Sequence, residues 1–152
     1  MDFKRPTTVV SASQGRVFHA FGDELTMLLN HAQTGGQFTA FTDVTPPGGG
    51  PPPHFHDRDD EWFFVLAGRV SFLADGQWTE VAPGGMIFAP HGGVHTFRNI
   101  GETPSKILVH VAPGNFENFF AAAAAEFAQP GGPDMNHLVQ IAGEYGIHFA
   151  PA

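Results

Sequence analysis

The stretch PPPHFHDRDDEWFFVLAG, residues 51–68, sets His54 and His56 one residue apart behind three prolines and follows them with an acidic run. Only 14% of the 152 residues are charged, so imidazoles and carboxylates gathered on one apolar segment call for a reason. A surface turn, a proline-rich linker and a metal site are the alternatives. On a strand, residues i and i+2 project from one face roughly 6.6 Å apart, so two imidazoles there can converge on one cation. Glu61 opens the next strong β-forming run, EWFFVL (61–66), and offers an oxygen ligand; Asp60 is the alternative oxygen donor. The His-x-His pair alone means little, because nine histidines in 152 positions give about 0.5 such pairs by chance.

Outward from this stretch the chain reads as strands separated by turns. ELTMLLN (24–30) alternates at period two, GGQFTAFTDV (35–44) is rich in β-formers, and TPPGGGPPP (45–53) cannot pair as a central strand. RVSFLA (69–74), QWTEV (77–81), MIFA (86–89), HTFRNI (95–100) and KILVHVA (106–112) continue the series, with Asp75-Gly76 as a hairpin turn. After Pro113 the pattern changes. NFENFFAAAAAEFA (115–128) puts Phe116, Phe119 and Phe120 on one helical face, suited to closing one end of the strands or packing on an outer sheet. PGGP (130–133) breaks that helix, and Asp134 caps a second one running to about Gly146. The reading is one domain over 1–152, with a β core at about 15–112 and a helical tail at about 115–146.

Composition narrows the function. A formal charge of −8 with no basic stripe disfavours nucleic acid and anionic membrane surfaces. The absence of cysteine excludes disulfides and thiolate metal sites. The longest apolar run, Phe119–Ala125, is too short to cross a bilayer, and Met1–Pro6 lacks the apolar core of a secretory leader. A cytoplasmic protein is the expectation. No Gly-x-Ser-x-Gly elbow or phosphate-binding Gly-x-x-x-x-Gly-Lys loop is present.

Two longer patterns frame the histidines. The first reads Gly48, five residues, His54-Phe55-His56, four residues, Glu61, six residues, Gly68. The second reads Gly84, five residues, Pro90-His91-Gly92, two residues, His95, three residues, Asn99. At this composition the first has a chance on the order of one in a thousand. Both resemble the two motifs of the cupin superfamily at every defining position, in the usual order, over residues 48–99. PPGGGPPPHFH, WFFVLAG and HTFRN are similar, more narrowly, to bacterial quercetin-dioxygenase-like cupins.

The resemblance implies an all-β double-stranded β-helix, a jelly-roll barrel of six to eight strands, with a short two-helix C-terminal tail. It implies that His54, His56, Glu61 and His95 bind one divalent transition metal per chain. Three imidazoles and a carboxylate suit Fe, Mn, Ni, Co, Cu or Zn, and leave one or two positions open for substrate. It implies an oxygenase acting on an aromatic or enolisable small molecule, with Glu61 as the catalytic proton acceptor. A metal-dependent isomerase, epimerase or decarboxylase, and a non-catalytic binding module, are the competing functions.

Alternation along the strands suggests the walls of the site. With Glu61 inward, Phe63 and Val65 are inward too, and Trp62, Phe64 and Leu66 face a second layer. With His95 inward, Phe97 follows and Arg98 faces away. On 86–89 the pair Met86 and Phe88 is expected to line the substrate pocket, in preference to Ile87 and Ala89. Such a pocket suits an aromatic or apolar ligand. The outward Trp62, Phe64 and Leu66 suggest a homodimer. His19, His31, His137 and His148 read as surface or packing residues, His91 as a neighbour of the ligands, and His110 as structural, the alternative being that a late strand aims it at the cavity. Asp57, Arg58, Asp59 and Asp60 read as a solvated loop, Gly68, Gly84, Pro90 and Gly92 as turn residues, and Asn99 as a backbone-bonding side chain.

Overall fold

A computed structural model describes residues 5–151; Met1–Lys4, on which the leader reading partly rests, and Ala152 lie outside the described residues. Eleven strands and two helices are formed by the described residues. The strands are β1 (Arg16–Ala20), β2 (Asp23–Leu29), β3 (Thr39–Thr45), β4 (His54–His56), β5 (Asp60–Ala67) and β6 (Val70–Ala74), followed by β7 (Gln77–Val81), β8 (Met86–Ala89), β9 (His95–Asn99) and β10 (Ser105–Ala112). Then come α1 (Phe116–Phe127), α2 (Met135–Glu144) and β11 (Ile147–Phe149).

All strand pairs are antiparallel, in two sheets: β1-β2-β3-β10-β5-β8 and β11-β4-β9-β6-β7. This is a jelly roll of two sheets rather than a closed barrel, with more strands than the six to eight expected. Inward residues of both sheets make the core: Phe18, Phe41, Phe63 and Val65 from the first, Val70, Phe72 and Phe97 from the second. Asp75 and Gly76 both take positive φ (51° and 76°), the geometry a two-residue hairpin between twisted strands requires.

The loop from Pro46 to Pro53 is tied to the end of β9. Gly48 N–H donates to the Asn99 carbonyl and Asn99 N–H to that of Gly49, at 2.9 and 3.0 Å. Gly50 sits at φ 150°, where a Cβ would fall 2.0 Å from the Phe97 carbonyl oxygen. Only glycine fits that approach. The Asn99 amide donates to the carbonyls of Thr45 and Thr103, as its reading as a backbone-bonding residue foresaw.

Helix α1 lays Phe116, Phe119 and Phe120 into the core, and Ala123 lets its backbone come close. The Asp134 carboxylate caps α2 by accepting from the N–H groups of Asn136 and His137. Among the described residues, no helix is long and apolar enough to cross a membrane.

Candidate metal centre

The four candidate ligands come from both sheets. His54 and His56 share one face of β4, and His54 lies in register with His95 on the neighbouring β9. Glu61 arrives from the facing sheet, on β5, flanked by Ala89 of β8 and Val111 of β10. The turn that delivers His95 is anchored by Gly92, whose N–H donates to the His56 carbonyl at 2.8 Å and whose φ of 80° requires glycine. One ligating atom from each of the four residues lies within 4.8 Å of the others. Opposite ligands on one ion with bonds of about 2.1 Å stand about 4.2 Å apart, so the set spans what a single ion needs.

Backbone carbonyls fix the tautomers. His54 Nδ1 donates to the Pro52 carbonyl at 2.8 Å and His95 Nδ1 to that of Gly93 at 2.9 Å. A carbonyl only accepts, so each Nδ1 carries a proton; His54 Nε2 has a free lone pair, and His95 Nε2 becomes a ligand on giving up the proton it donates to Glu61. His95 Nε2 lies 2.9 Å and His56 Nε2 3.0 Å from the same oxygen, Glu61 Oε2. Yet His56, only 2% exposed, makes no hydrogen bond through either ring nitrogen; its approach to Glu61 is out of alignment for one. An orphaned imidazole beside a carboxylate, with two more imidazoles at hand, is a donor set for a divalent transition metal.

Electrostatics agree with that arrangement. Burial would raise the Glu61 carboxyl, but the nearby His56 ring and the hydrogen bond from His95 outweigh it and hold it well below the usual carboxylate range. Burial lowers His54 to about 4, assisted by the His95 charge, so its ring is neutral at ordinary pH. Burial also works to lower His95, but its contacts with Glu61 prevail and raise it. The metal-free cluster thus contains an ionised carboxylate and at least one imidazole with a free lone pair.

The cluster opens onto a cavity of about 70 Å³. Phe63 and Phe97 line it, with Leu25 and Phe41 from β2 and β3. Three expected pocket residues do not. Val65 is fully buried but packs in the core away from the cavity. Met86 and Phe88 point outward, 60% and 59% exposed, and their partners Ile87 and Ala89 face in. Pairing of Ala89 with inward Glu61 sets that phase.

Other walls come from residues not foreseen as part of the site. Phe116, Phe119 and Phe120 of α1 and Ile147 and Phe149 of β11 line the cavity, as do Asp23 and Asp43. The two acids did carry a signal, since each stands in phase with apolar inward neighbours, Leu25 and Phe41.

The solvated-loop reading fails at Asp59, which is buried and accepts the Gly114 N–H at 2.9 Å. Asp60, the alternative donor, faces away from the cluster and accepts from His91 backbone and ring, so His91 touches Asp60 and no candidate ligand. His110 stacks on Trp62 at 5.3 Å on the outer face, a structural placement. His137 pairs with Glu126 and His148 with Asp57 at the surface.

A family model described as Cupin domain matches residues 42–111, which contain all four clustered residues. Quercetin 2,3-dioxygenase of Bacillus subtilis (strain 168) is 31% identical over 100 residues, covering 65% of this chain and 29% of that protein. The chain spans between about a third and just over half of the length of the curated relatives it matches. Among solved structures, KdgF from Halomonas sp. superposes with a TM-score of 0.66 at 18% identity, over 74% of this chain and 99% of that one. The polyketide cyclase RemF from Streptomyces resistomycificus gives 0.63 at 23% identity, over 72% and 81%. At these identities the structural likeness speaks to the fold alone.

Proposed function

This chain belongs to the cupin superfamily, and on that premise we propose that it is a metal-dependent oxygenase of the quercetin-dioxygenase type, acting on an aromatic or enolisable small molecule. The observation that carries the proposal is the His54/His56/Glu61/His95 cluster opening onto a cavity walled by phenylalanine. The likeness to a quercetin 2,3-dioxygenase supplies the reaction class.

His54, His56, Glu61 and His95 would hold the metal. When bound there, the ion supplies Lewis acidity and, for a redox-active metal, reactivity toward dioxygen. The protein's own share is positioning and proton handling. The Pro52 and Gly93 carbonyls lock the His54 and His95 rings, so the ligand atoms need not reorganise when substrate enters. Glu61 is ionised and buried, and accepts the proton of a substrate enol or hydroxyl that reaches the cluster. Phe63, Phe97 and Phe116 exclude water from the reacting end. A cavity of about 70 Å³ is far below the roughly 300–1,000 Å³ of sites that enclose a drug-sized ligand, so the substrate it encloses is small.

Two carboxylic acids in the same cavity favour a second reading, in which Lewis-acid isomerisation or decarboxylation replaces oxygen chemistry. Oxygen uptake separates the two. Protein loaded in turn with Fe, Mn, Ni, Co or Cu is mixed with flavonols and related enolisable aromatics in an oxygen electrode. Oxygen consumed in step with substrate loss supports the oxygenase. Ligands that perturb the metal spectrum while no form takes up oxygen would transfer the assignment to the Lewis-acid reading.

A further inference from the structure

Two carboxylic acids line the cavity without belonging to the ligand cluster. Asp23 on β2 and Asp43 on β3 are 4% and 6% exposed, in a wall otherwise made largely of phenylalanine. Asp43 lies in the cross-strand row of Leu25, Ile107 and Val65, and Glu61 in the row of Thr39 and Val111. One inward row, Phe41–Val109–Phe63, separates them. The acids and the cluster thus occupy two ends of one apolar space.

The two carboxyls are close enough to act on each other's proton affinity, and Thr45 Oγ1 donates to Asp43 Oδ1 at 3.1 Å. Two buried carboxylates this close cannot both ionise, so the pair keeps a proton between them. Asp23 Oδ1 receives no hydrogen bond from an N–H or hydroxyl among the described residues. His56, at the other end of the space, has both ring nitrogens in the same condition. Buried polar atoms without partners are rare in folded proteins, and both ends of this cavity display them. Burial keeps the pair's proton in place at moderate pH: it raises Asp23 to about 6 and, with the charge of Asp23, raises Asp43 well above the usual range.

We infer that Asp23 and Asp43 form a polar anchor that holds an uncharged hydroxyl or carbonyl oxygen on the far end of a substrate whose reacting end is held at the His54/His56/Glu61/His95 cluster. The inference rests on the function proposed above and narrows its substrate class. A pair sharing one proton donates to a carbonyl or accepts from a hydroxyl, so it serves either group. Its remaining negative charge opposes a carboxylate or phosphate at that end. The substrate is accordingly a hydroxylated neutral molecule with an enolisable group at one end and a second oxygen at the other.

The test compares two pyranones on the cobalt(II)-loaded protein, read by the cobalt absorption spectrum. Kojic acid carries a hydroxymethyl group across the ring from its hydroxy-ketone; allomaltol has a methyl there. Wild type is expected to bind kojic acid about tenfold more tightly than allomaltol, and Asp23→Asn and Asp43→Asn to cut that preference to threefold or less. Allomaltol affinity and one bound cobalt per chain should persist in both variants, which excludes a general loss of structure. If Asp43→Asn fails to fold, Asp23→Asn decides, because it alters the carboxyl with the unpartnered oxygen. Equal binding of the two pyranones to wild type, or a preference that survives in the variants, overturns the anchor and leaves the function standing. A cobalt spectrum that responds to neither pyranone overturns the proposed function and the anchor with it.

Discussion

His54 and His95 face each other across β4 and β9 in direct register, their ring centroids 4.6 Å apart, each with Nδ1 tied to a main-chain carbonyl. Two imidazoles so close would repel if both were protonated, and as neutral ligands they have their lone pairs free. About one transition-metal ion per chain is therefore expected in protein purified without chelator. Replacing His54 and His56 together by alanine removes two of the four donors and should abolish stoichiometric metal by elemental analysis. His91→Ala should leave the metal content within about a fifth of wild type, because His91 contacts Asp60 at the surface. Full metal retention in the double variant would sink the assignment.

Glu61 has two roles, ligand and proton acceptor, which Glu61→Gln separates in part. The amide keeps an oxygen near the ion and loses the basic site. With a competent metal, turnover should fall by roughly 10²–10⁴-fold while substrate affinity changes much less. Equal losses in kcat and affinity would point to a purely structural carboxylate.

The close approach of Gly50 to the Phe97 carbonyl couples the proline-rich loop to the strand that carries His95. Gly50→Ala forces a clash with main chain at a φ that side chains rarely adopt. A loss of about 2–3 kcal/mol in urea unfolding is expected, with weakened metal retention. Gly76→Ala is the comparison, since a Cβ there meets nothing within 4 Å and costs only its turn conformation.

The raised Asp23 carboxyl makes a pH prediction with a definite sign. Its proton is held more tightly folded than unfolded, so its contribution is fully favourable below about 4 and is lost as pH rises through about 6. Asp23→Asn removes that loss. In metal-free protein the stability of Asp23→Asn relative to wild type should therefore improve by about 1–3 kcal/mol from pH 4 to pH 7. A difference that stays flat across that interval, or grows toward acid, contradicts the assignment.

The outer face of the first sheet carries a paired apolar ladder, Trp62 beside Phe88 and Phe64 beside Met86, with Leu66 next along β5. A second copy of the chain is its expected occupant. Light scattering should give a dimer, and Met86→Glu with Phe88→Glu should give a folded monomer. A wild-type monomer at every workable concentration rules the dimer out.

Much of this molecule was legible in its sequence because two signals are local. Period-two alternation identifies a strand and sorts its residues into two faces, so Glu61, Phe63 and Val65 were assigned to one side from their own segment. Motif spacing singled out His54, His56, Glu61 and His95, which the fold brings within 4.8 Å of one another. Alternation cannot say which face turns inward when both are apolar. MIFA (86–89) reads equally well in either phase, and only its pairing with β5 sends Ile87 and Ala89 inward and leaves Met86 and Phe88 exposed. Asp59 reads as a loop acid until the distant Gly114 N–H supplies its partner. The phenylalanines of α1 and the short β11 show their apolar character in sequence, but whether they cover the outside or line the cavity depends on where the tail returns across the sheets. Those are contacts between segments far apart in the chain, decided by the packing of whole elements against one another.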